Sequence, residues 1–219
     1  MRRRRTPRNP RTLLTWLGLA VGVAGLGLQF YLSMPAYLAN GRDIFGALGT
    51  FFAFYTILTN IVLVLIYASE VTPWPRLDLF RHPVTRGMMA ANITLVMLFV
   101  YFVLRHLYAL EGLSQTADTL LHYLAPVLYV MWWLIAQRHG ALSLAKLPVM
   151  LAPTFGYFLY ILARGVWVAE YPYPILDVTT LGYPAVWLNA VYMTVGLAGL
   201  CAVVIALDQI LARSTRTVA

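Results

Sequence analysis

Polar side chains inside long apolar stretches are the first candidates for chemistry in this chain. In "FYTILTN", Thr56, Thr59 and Asn60 are spaced by three and four positions, so a helix places them on one face. In "DTLLHYLAP", Asp118 lies four positions before His122 and can orient its imidazole and fix its tautomer. Packing also explains these residues: on spacing alone it is the favoured explanation for Thr56, Thr59 and Asn60, and an equal one for Asp118 with His122. Threonines bond to their own backbone, an asparagine bonds to a neighbouring helix, and an acid at a helix start balances the helix dipole.

A second group of polar residues lies near the ends of the apolar stretches. It comprises Arg105 with its neighbour His106, Arg164, and Asp177. Ionisable residues in or beside membrane spans are costly, and for that reason they mark candidate functional sites. Arg164 either extends its charge to the membrane interface or binds an anionic headgroup or carboxylate.

The elements that must position these residues are membrane helices. Of 219 residues, 61% are hydrophobic and only 11% are charged, whereas a soluble domain carries about 25% charged residues. Apolar runs of about 20 residues recur along the chain and leave no room for a separate soluble domain. The sequence therefore predicts an all-α polytopic membrane protein, a bundle of six transmembrane helices. The predicted spans are Leu13–Met34, Phe45–Ala68, Gly87–Leu107, Thr119–Gln137, Leu147–Val168 and Tyr183–Leu211.

The basic residues predict the orientation of these spans. Thirteen of the sixteen lysines and arginines fall on the side of the N-terminus, six of them within the first eleven positions. This distribution predicts both termini on the cytoplasmic side. Residues 1–12 then form a basic cytoplasmic tail, residues 13–211 the membrane domain and residues 212–219 a second cytoplasmic tail. All the ionisable candidates named above lie toward the outer face, and the charge pattern argues against a nucleic-acid partner.

The first span carries two open alternatives. Its apolar stretch, Leu13 to Phe30, exceeds the length usual in a signal peptide, which favours an uncleaved helix. Gly18 and Gly22 form a GxxxG pair, which either packs closely against another helix or reflects the general frequency of glycine in membrane helices.

Three stretches together resemble a known family. They are "FYTILTN", "LLHYLAP" and above all "EYPYPILD" in the last outer loop. The chain resembles the androgen-induced family of six-span membrane threonine hydrolases, which cleave fatty acid esters of hydroxy fatty acids. It is most similar to a branch of uncharacterised bacterial six-span proteins, and the resemblance implies a bacterial cytoplasmic membrane as its location.

The resemblance also implies roles for individual residues. By motif position, Thr56 matches the family's nucleophile and His122 its histidine partner, with Thr59 as the alternative nucleophile. His122 would take the threonine proton and Asp118 would hold the ring. Thr59 or Asn60 would donate to the oxyanion. The expected substrate is a membrane lipid or fatty acid ester, with no cofactor or metal. The candidate substrate-binding residues are Arg105, His106, Arg164, Tyr173 and Asp177.

Two other classes of function fit the same residues. One is a non-enzymatic carrier or binder of a lipid or quinone, which would use the same outward-facing pocket and arginines. The other is a haem protein with His106 and His122 as axial ligands, which the absence of a second histidine pair disfavours. The sequence leaves the oligomeric state open.

The predicted spans raise one geometric difficulty. Thr56 lies eleven residues after Phe45, about 16 Å into the membrane at 1.5 Å per residue, whereas His122 lies one turn after Thr119. The two side chains meet only if the second span begins later or the fourth begins deeper. Pro126, four residues after His122, cannot donate to the His122 carbonyl and predicts a kink there.

Overall fold

The computed structural model describes residues 9–107 and 109–217, with side chains to residue 214, and this part of the chain contains helices and no strands. Short 3₁₀ turns lie at Pro75–Leu77, Leu104–His106, Leu144–Lys146 and Pro174–Leu176, and a π-helical turn lies at Leu120–Leu124. The α-helices are α1 Pro10–Ala39, α2 Ile44–Phe51, α3 Tyr55–Val71, α4 Asp78–Arg81, α5 Pro83–Phe102, α6 Gly112–Thr119, α7 Ala125–Ala136, α8 Leu147–Val168 and α9 Val178–Thr217.

Apolar length identifies the membrane-crossing candidates. Within the described residues, five helical stretches are long and apolar enough to cross a membrane, and a sixth is added if the bent pair α2 and α3 counts as one span. The five include α1, α8 and α9, together with α5 extended by its terminal 3₁₀ turn and α6 joined to α7 through the π turn. The protein is therefore an all-α bundle with the character of an integral membrane protein.

The second predicted span is not one continuous helix, which corrects the expectation for Phe45–Ala68. Helix α2 ends at Phe51, α3 begins at Tyr55, and the two axes differ by 77°. No glycine or proline lies at the break. Tertiary contacts hold it instead: Ala53 is buried, and its carbonyl accepts a 2.8 Å hydrogen bond from the Tyr157 hydroxyl of α8. The break moves the start of the Thr56 helix ten residues beyond Phe45.

The fourth predicted span also begins elsewhere than expected. Its helix starts at Gly112, seven residues before Thr119, so His122 lies well inside the helix rather than one turn from its end. At Leu120–Leu124 the helix widens into a π turn, which takes the place of the predicted kink before Pro126. The predicted spans therefore misplace both helix starts, and with the observed starts the Thr56 and His122 side chains meet, at 3.1 Å.

Helix α1 packs closely on α3 through the two glycines of the GxxxG pair. A Cβ added to Gly18 would lie 2.1 Å from Cζ of Tyr67, and one added to Gly22 would lie 2.7 Å from Cγ2 of Val64. The main core extends from there through Tyr67, Tyr129 and Trp132, whose rings contact one another. The GxxxG pair thus serves helix packing. The predicted basic tail lies outside the described residues for its first eight positions, as do the last residues of the predicted C-terminal tail.

Candidate active site

Thr56 lies in the first turn of α3, directly after the break in the second span. Its side chain is buried, and its Oγ1 lies 3.1 Å from Nε2 of His122. Because the first N–H groups of a helix have no acceptor within it, the Thr56 N–H is available to other groups and lies at the positive end of the helix dipole. The hydroxyl is therefore paired with an imidazole at a position where negative charge is stabilised.

His122 connects Thr56 to a carboxylate. Its Nδ1 lies 2.7 Å from Oδ1 of Asp118, one helical turn earlier, and both side chains are mostly buried. When Nδ1 carries its proton toward Asp118, Nε2 is left with a lone pair facing the Thr56 hydroxyl. The geometry is that of a nucleophile, a base and an orienting acid in series. Both ring nitrogens of His122 are engaged in this way.

The π turn and Pro126 create an unpaired carbonyl beside this group. The N–H of Ala125 donates to Leu120, five residues earlier, instead of to Leu121. The next residue, Pro126, has no N–H, so the Leu121 carbonyl has no donor from its own helix. The Asn60 side chain occupies this position: its Nδ2 donates to the Leu121 carbonyl at 3.3 Å and to the Thr56 carbonyl at 2.9 Å. Asn60 therefore ties α3 to the helical segment that carries His122.

The donors expected for the oxyanion are used in other ways. Both amide hydrogens of Asn60 are directed to carbonyl groups, and its Oδ1 is buried without a partner. The Thr59 hydroxyl bonds back to the carbonyls of Tyr55 and Thr56, as buried threonines in helices often do. Neither side chain lines a cavity beside Thr56. In this geometry both residues hold the helices in place, and Thr56, not Thr59, faces His122.

Two cavities meet at Thr56. One has a volume of about 340 Å³ and is almost wholly apolar, with Leu95, Phe99, Phe158 and Trp187 among its lining residues. The other has a volume of about 610 Å³ and a more polar lining. Both volumes fall within the range of ligand sites. Four residues line both cavities: Thr56, Val100, Leu104 and Tyr173. The polar cavity is lined further by Gln29, Ser33, Arg105, Gln115, Asp118 and His122.

Tyr173 reaches the site from the loop that precedes α9. Its hydroxyl oxygen accepts a hydrogen bond from the Thr56 N–H at 3.4 Å, and its ring packs edge to face on Phe54 and Phe99. Burial raises the pKa of the Tyr173 hydroxyl above its ordinary value, so the group stays protonated at neutral pH.

An ion pair anchors this loop at the end of the bundle. Glu170 binds Arg42 of the α1–α2 connection at 2.7 Å, and Arg164 of α8 lies 3.6 Å from its other carboxylate oxygen. Arg42, the nearer partner, holds the pKa of Glu170 below its ordinary value, with Arg164 adding to the effect. No pattern in the sequence points to the pairing of Arg42 with Glu170, because the two residues lie 128 positions apart.

Three of the predicted substrate-binding residues lie outside both cavities. Asp177 accepts hydrogen bonds from Thr179 and Thr180 and caps the start of α9, which lowers the pKa of its exposed carboxyl. Arg164 is held by the Glu170 carbonyl and by the Thr50 hydroxyl. His106 lies in an exposed turn and accepts a hydrogen bond from Arg105. Of the predicted binding residues, the cavities contain only Arg105 and Tyr173.

A partly buried polar triad lies beside the apolar cavity, and no sequence motif indicates it. The hydroxyls of Tyr55 and Thr154 both bond to Oδ1 of Asn92 and lie 2.7 Å from each other. The triad joins α3, α5 and α8 directly behind Thr56. Its members satisfy one another, so it fixes the position of the first turn of α3. The only signal in the sequence was the occurrence of polar residues in three separate spans.

Comparison of the chain with protein-family models, curated proteins and solved structures finds no match.

Proposed function

We propose that this protein is an integral membrane hydrolase of lipid esters, with Thr56 as nucleophile and His122 as base. The observation that supports it most directly is the series Thr56–His122–Asp118, joined by contacts of 3.1 and 2.7 Å. Three residues from two segments 66 positions apart meet with the atoms and in the order that nucleophilic catalysis requires.

The reaction proceeds in two halves. Thr56 Oγ1 attacks the ester carbonyl while its proton passes to Nε2 of His122, and Asp118 stabilises the resulting imidazolium. The carbon–oxygen bond to the alcohol then breaks, and His122 returns the proton to the departing alkoxide. A water molecule, activated by the same imidazole, cleaves the acyl-threonine ester and restores the free hydroxyl.

The two cavities suggest how an ester is arranged. An acyl chain fits the apolar cavity, where burial from water drives binding. The alcohol portion then occupies the polar cavity, and the scissile carbonyl lies at Thr56, where the cavities meet. Arg105 provides a positive charge in the polar cavity for an alcohol portion with a free carboxylate. Fatty acid esters of hydroxy fatty acids, the substrates implied by the family resemblance, have this shape.

The topology proposed with this function has six spans and both termini in the cytoplasm, with α2 and α3 forming one broken span. The excess of basic residues on that side supports it. The site then opens toward the outer half of the membrane of a bacterial cell. A reporter enzyme fused after residue 42 should be active outside the cell, and one fused after residue 140 should be active inside it.

The test uses the purified protein in detergent with long-chain fatty acid esters, including esters of hydroxy fatty acids. Thr56→Val keeps the shape of the side chain but removes the hydroxyl, and we expect it to abolish turnover. Thr59→Val is the matched control on the same helix, and we expect it to retain turnover. A fluorophosphonate probe should label Thr56, as located by mass spectrometry, and His122→Ala should prevent the labelling.

Other outcomes separate this proposal from its alternatives. Turnover and labelling that survive Thr56→Val but disappear in Thr59→Val would move the nucleophile to Thr59. A wild-type protein that copurifies with stoichiometric lipid, yet neither turns over esters nor reacts with the probe, would support a lipid carrier instead. Both results would contradict the Thr56 assignment.

A further inference from the structure

The ester hydrolase proposed above needs a donor for the oxyanion, and the residues expected for that role are engaged elsewhere. Attack by Thr56 moves the carbonyl π electrons onto the carbonyl oxygen, which becomes negatively charged. Such a charge in a low-dielectric site requires hydrogen-bond donors that are already in place. Asn60 and Thr59 direct their hydrogens to backbone carbonyls, so the donors must come from another element.

We propose that the Tyr173 hydroxyl and the Thr56 N–H are the two donors that form the oxyanion hole. This assignment rests on the proposed hydrolase function. Tyr173, like Thr56, lines both cavities and lies where they meet. In the proposed reaction the scissile carbonyl lies at this junction. The Tyr173 oxygen accepts from the Thr56 N–H, and the side chain it hydrogen-bonds with is that of Thr56 itself, so the Tyr173 O–H is directed to the point of attack.

The Thr56 N–H is suited to the second donor position. It belongs to the nucleophile itself and has no acceptor within α3, because it lies in the first turn. It is directed at the Tyr173 oxygen in the free protein. When the ester carbonyl enters, its oxygen takes the place between these two groups, receives both hydrogens and acquires the charge as the bond to Oγ1 forms. No proton is transferred to the oxyanion, and the Thr56 proton stays on His122 until the alkoxide leaves.

The surroundings of Tyr173 hold it at this position. Its ring contacts Phe54 and Phe99 edge to face, with centroid distances of 5.9 and 6.2 Å. The loop is fixed by the ion pair of Glu170 with Arg42 and by Tyr171, whose ring lies so close to Gly165 that a Cβ there would clash. A donor held by packing on both sides loses little entropy in the transition state. Burial keeps the phenol neutral and therefore able to donate.

The competing interpretation is that Tyr173 only caps the start of α3 and so positions Thr56. The two interpretations differ in whether Tyr173 donates a hydrogen bond to the substrate's carbonyl oxygen. A thionoester carries sulfur in place of that oxygen, and sulfur is the weaker hydrogen-bond acceptor. An enzyme with a working oxyanion hole therefore hydrolyses the oxygen ester much faster than the thionoester. A residue that merely positions Thr56 affects both substrates equally.

The experiment measures kcat/KM for a matched oxygen ester and thionoester in the wild type, Tyr173→Phe and Tyr171→Phe. We expect Tyr173→Phe to lower kcat for the oxygen ester about 100- to 1,000-fold with a small change in KM, as removal of one oxyanion donor does. The oxygen-to-sulfur ratio should fall by a similar factor. Tyr171→Phe makes the same chemical change in the same loop outside both cavities and should leave the ratio unchanged.

Because the ratio is measured within one preparation, it does not depend on the fraction of folded enzyme. If Tyr173→Phe is too slow to measure, 3-fluorotyrosine at position 173 supplies a more acidic donor and should raise the ratio. An unchanged ratio in either variant would overturn the assignment of Tyr173 and leave the hydrolase function intact. A wild type that hydrolyses neither substrate would overturn both.

Discussion

Asn60 should be energetically coupled to Pro126, although the two residues lie on different helices. The coupling passes through the Leu121 carbonyl, which has no helical donor because Pro126 lacks an N–H. Asn60 supplies the missing donor at 3.3 Å. In Asn60→Ala this carbonyl is buried without a partner, whereas the Thr56 carbonyl still accepts from Thr59.

The expected size of the effect follows from that carbonyl. Leaving a buried acceptor unpaired costs about 1–3 kcal/mol, and interhelical hydrogen bonds in membranes contribute about 0.6–1.7 kcal/mol. We therefore expect Asn60→Ala to lower the free energy of unfolding by about 2 kcal/mol. In a Pro126→Ala background, the new N–H at position 126 allows the backbone to supply a donor to Leu121. There Asn60→Ala should cost about 1 kcal/mol less.

The assay is reversible unfolding in mixed micelles of a mild detergent and SDS, followed by far-UV circular dichroism. The four proteins of the double-mutant cycle give the coupling energy directly. Pro153→Ala is the matched control, since Pro153 also lies inside a helix but on α8. Its effect should add to that of Asn60→Ala. Strict additivity of Asn60→Ala with Pro126→Ala, within about 0.3 kcal/mol, would show that the Leu121 carbonyl does not couple the two helices.

Three further predictions concern the loop anchor, the helix contact and the polar cavity. Arg42 lowers the pKa of Glu170 below its ordinary value of 4.5. The ionised Glu170 carboxylate therefore stabilises the folded state above pH 4.5, and this stabilisation is lost as the pH falls through the lowered pKa of the folded state. Acid thermal melts of the wild type should therefore decline more steeply below pH 4.5 than those of Glu170→Gln, and equal slopes would contradict the anchor. Gly18→Ala should lower the free energy of unfolding by about 1–3 kcal/mol, because the added Cβ clashes with the Tyr67 ring. Gly27→Ala is the control on the same helix: its added Cβ meets open space, and it should not lower the free energy of unfolding. A smaller loss of stability in Gly18→Ala than in Gly27→Ala would contradict the close packing of α1 on α3. Arg105→Gln should raise KM about tenfold for esters with a free carboxylate, because one charge-assisted hydrogen bond to the substrate is lost. KM for neutral esters should stay the same. An equal change in KM for both kinds of ester would show that Arg105 does not bind the carboxylate.

Local spacing explains what could be predicted from the sequence. The pairing of Asp118 with His122 follows from an interval of four on a helix, and the distortion near Pro126 follows from its missing N–H. The apolar runs were long enough to indicate the membrane helices. In each case the relevant interaction lies within one element, where the period of the helix determines which side chains meet.

The remaining features depend on contacts between distant segments. The break before Tyr55 lies in a run of aromatic residues without a helix breaker, and it is held by a hydrogen bond from Tyr157 on another helix. The position of Tyr173 beside Thr56 joins residues 117 positions apart. Neither contact leaves a periodic pattern in the sequence. The depth estimate based on an unbroken second span was wrong for the same reason.

The origin of Tyr173 in the last loop bears on how the protein is made. Thr56 and His122 belong to segments that leave the ribosome early, whereas Tyr173 follows only after α8 has been synthesised. Under the proposed topology this loop must also cross the membrane before Glu170 can meet Arg42. Under the proposed function, a nascent chain that ends at Val168 contains Thr56 and His122 but lacks the loop that carries Tyr173. We would then expect such a chain to insert into the membrane without attacking the lipids around it, because its site is completed only when the last loop and helix have been made.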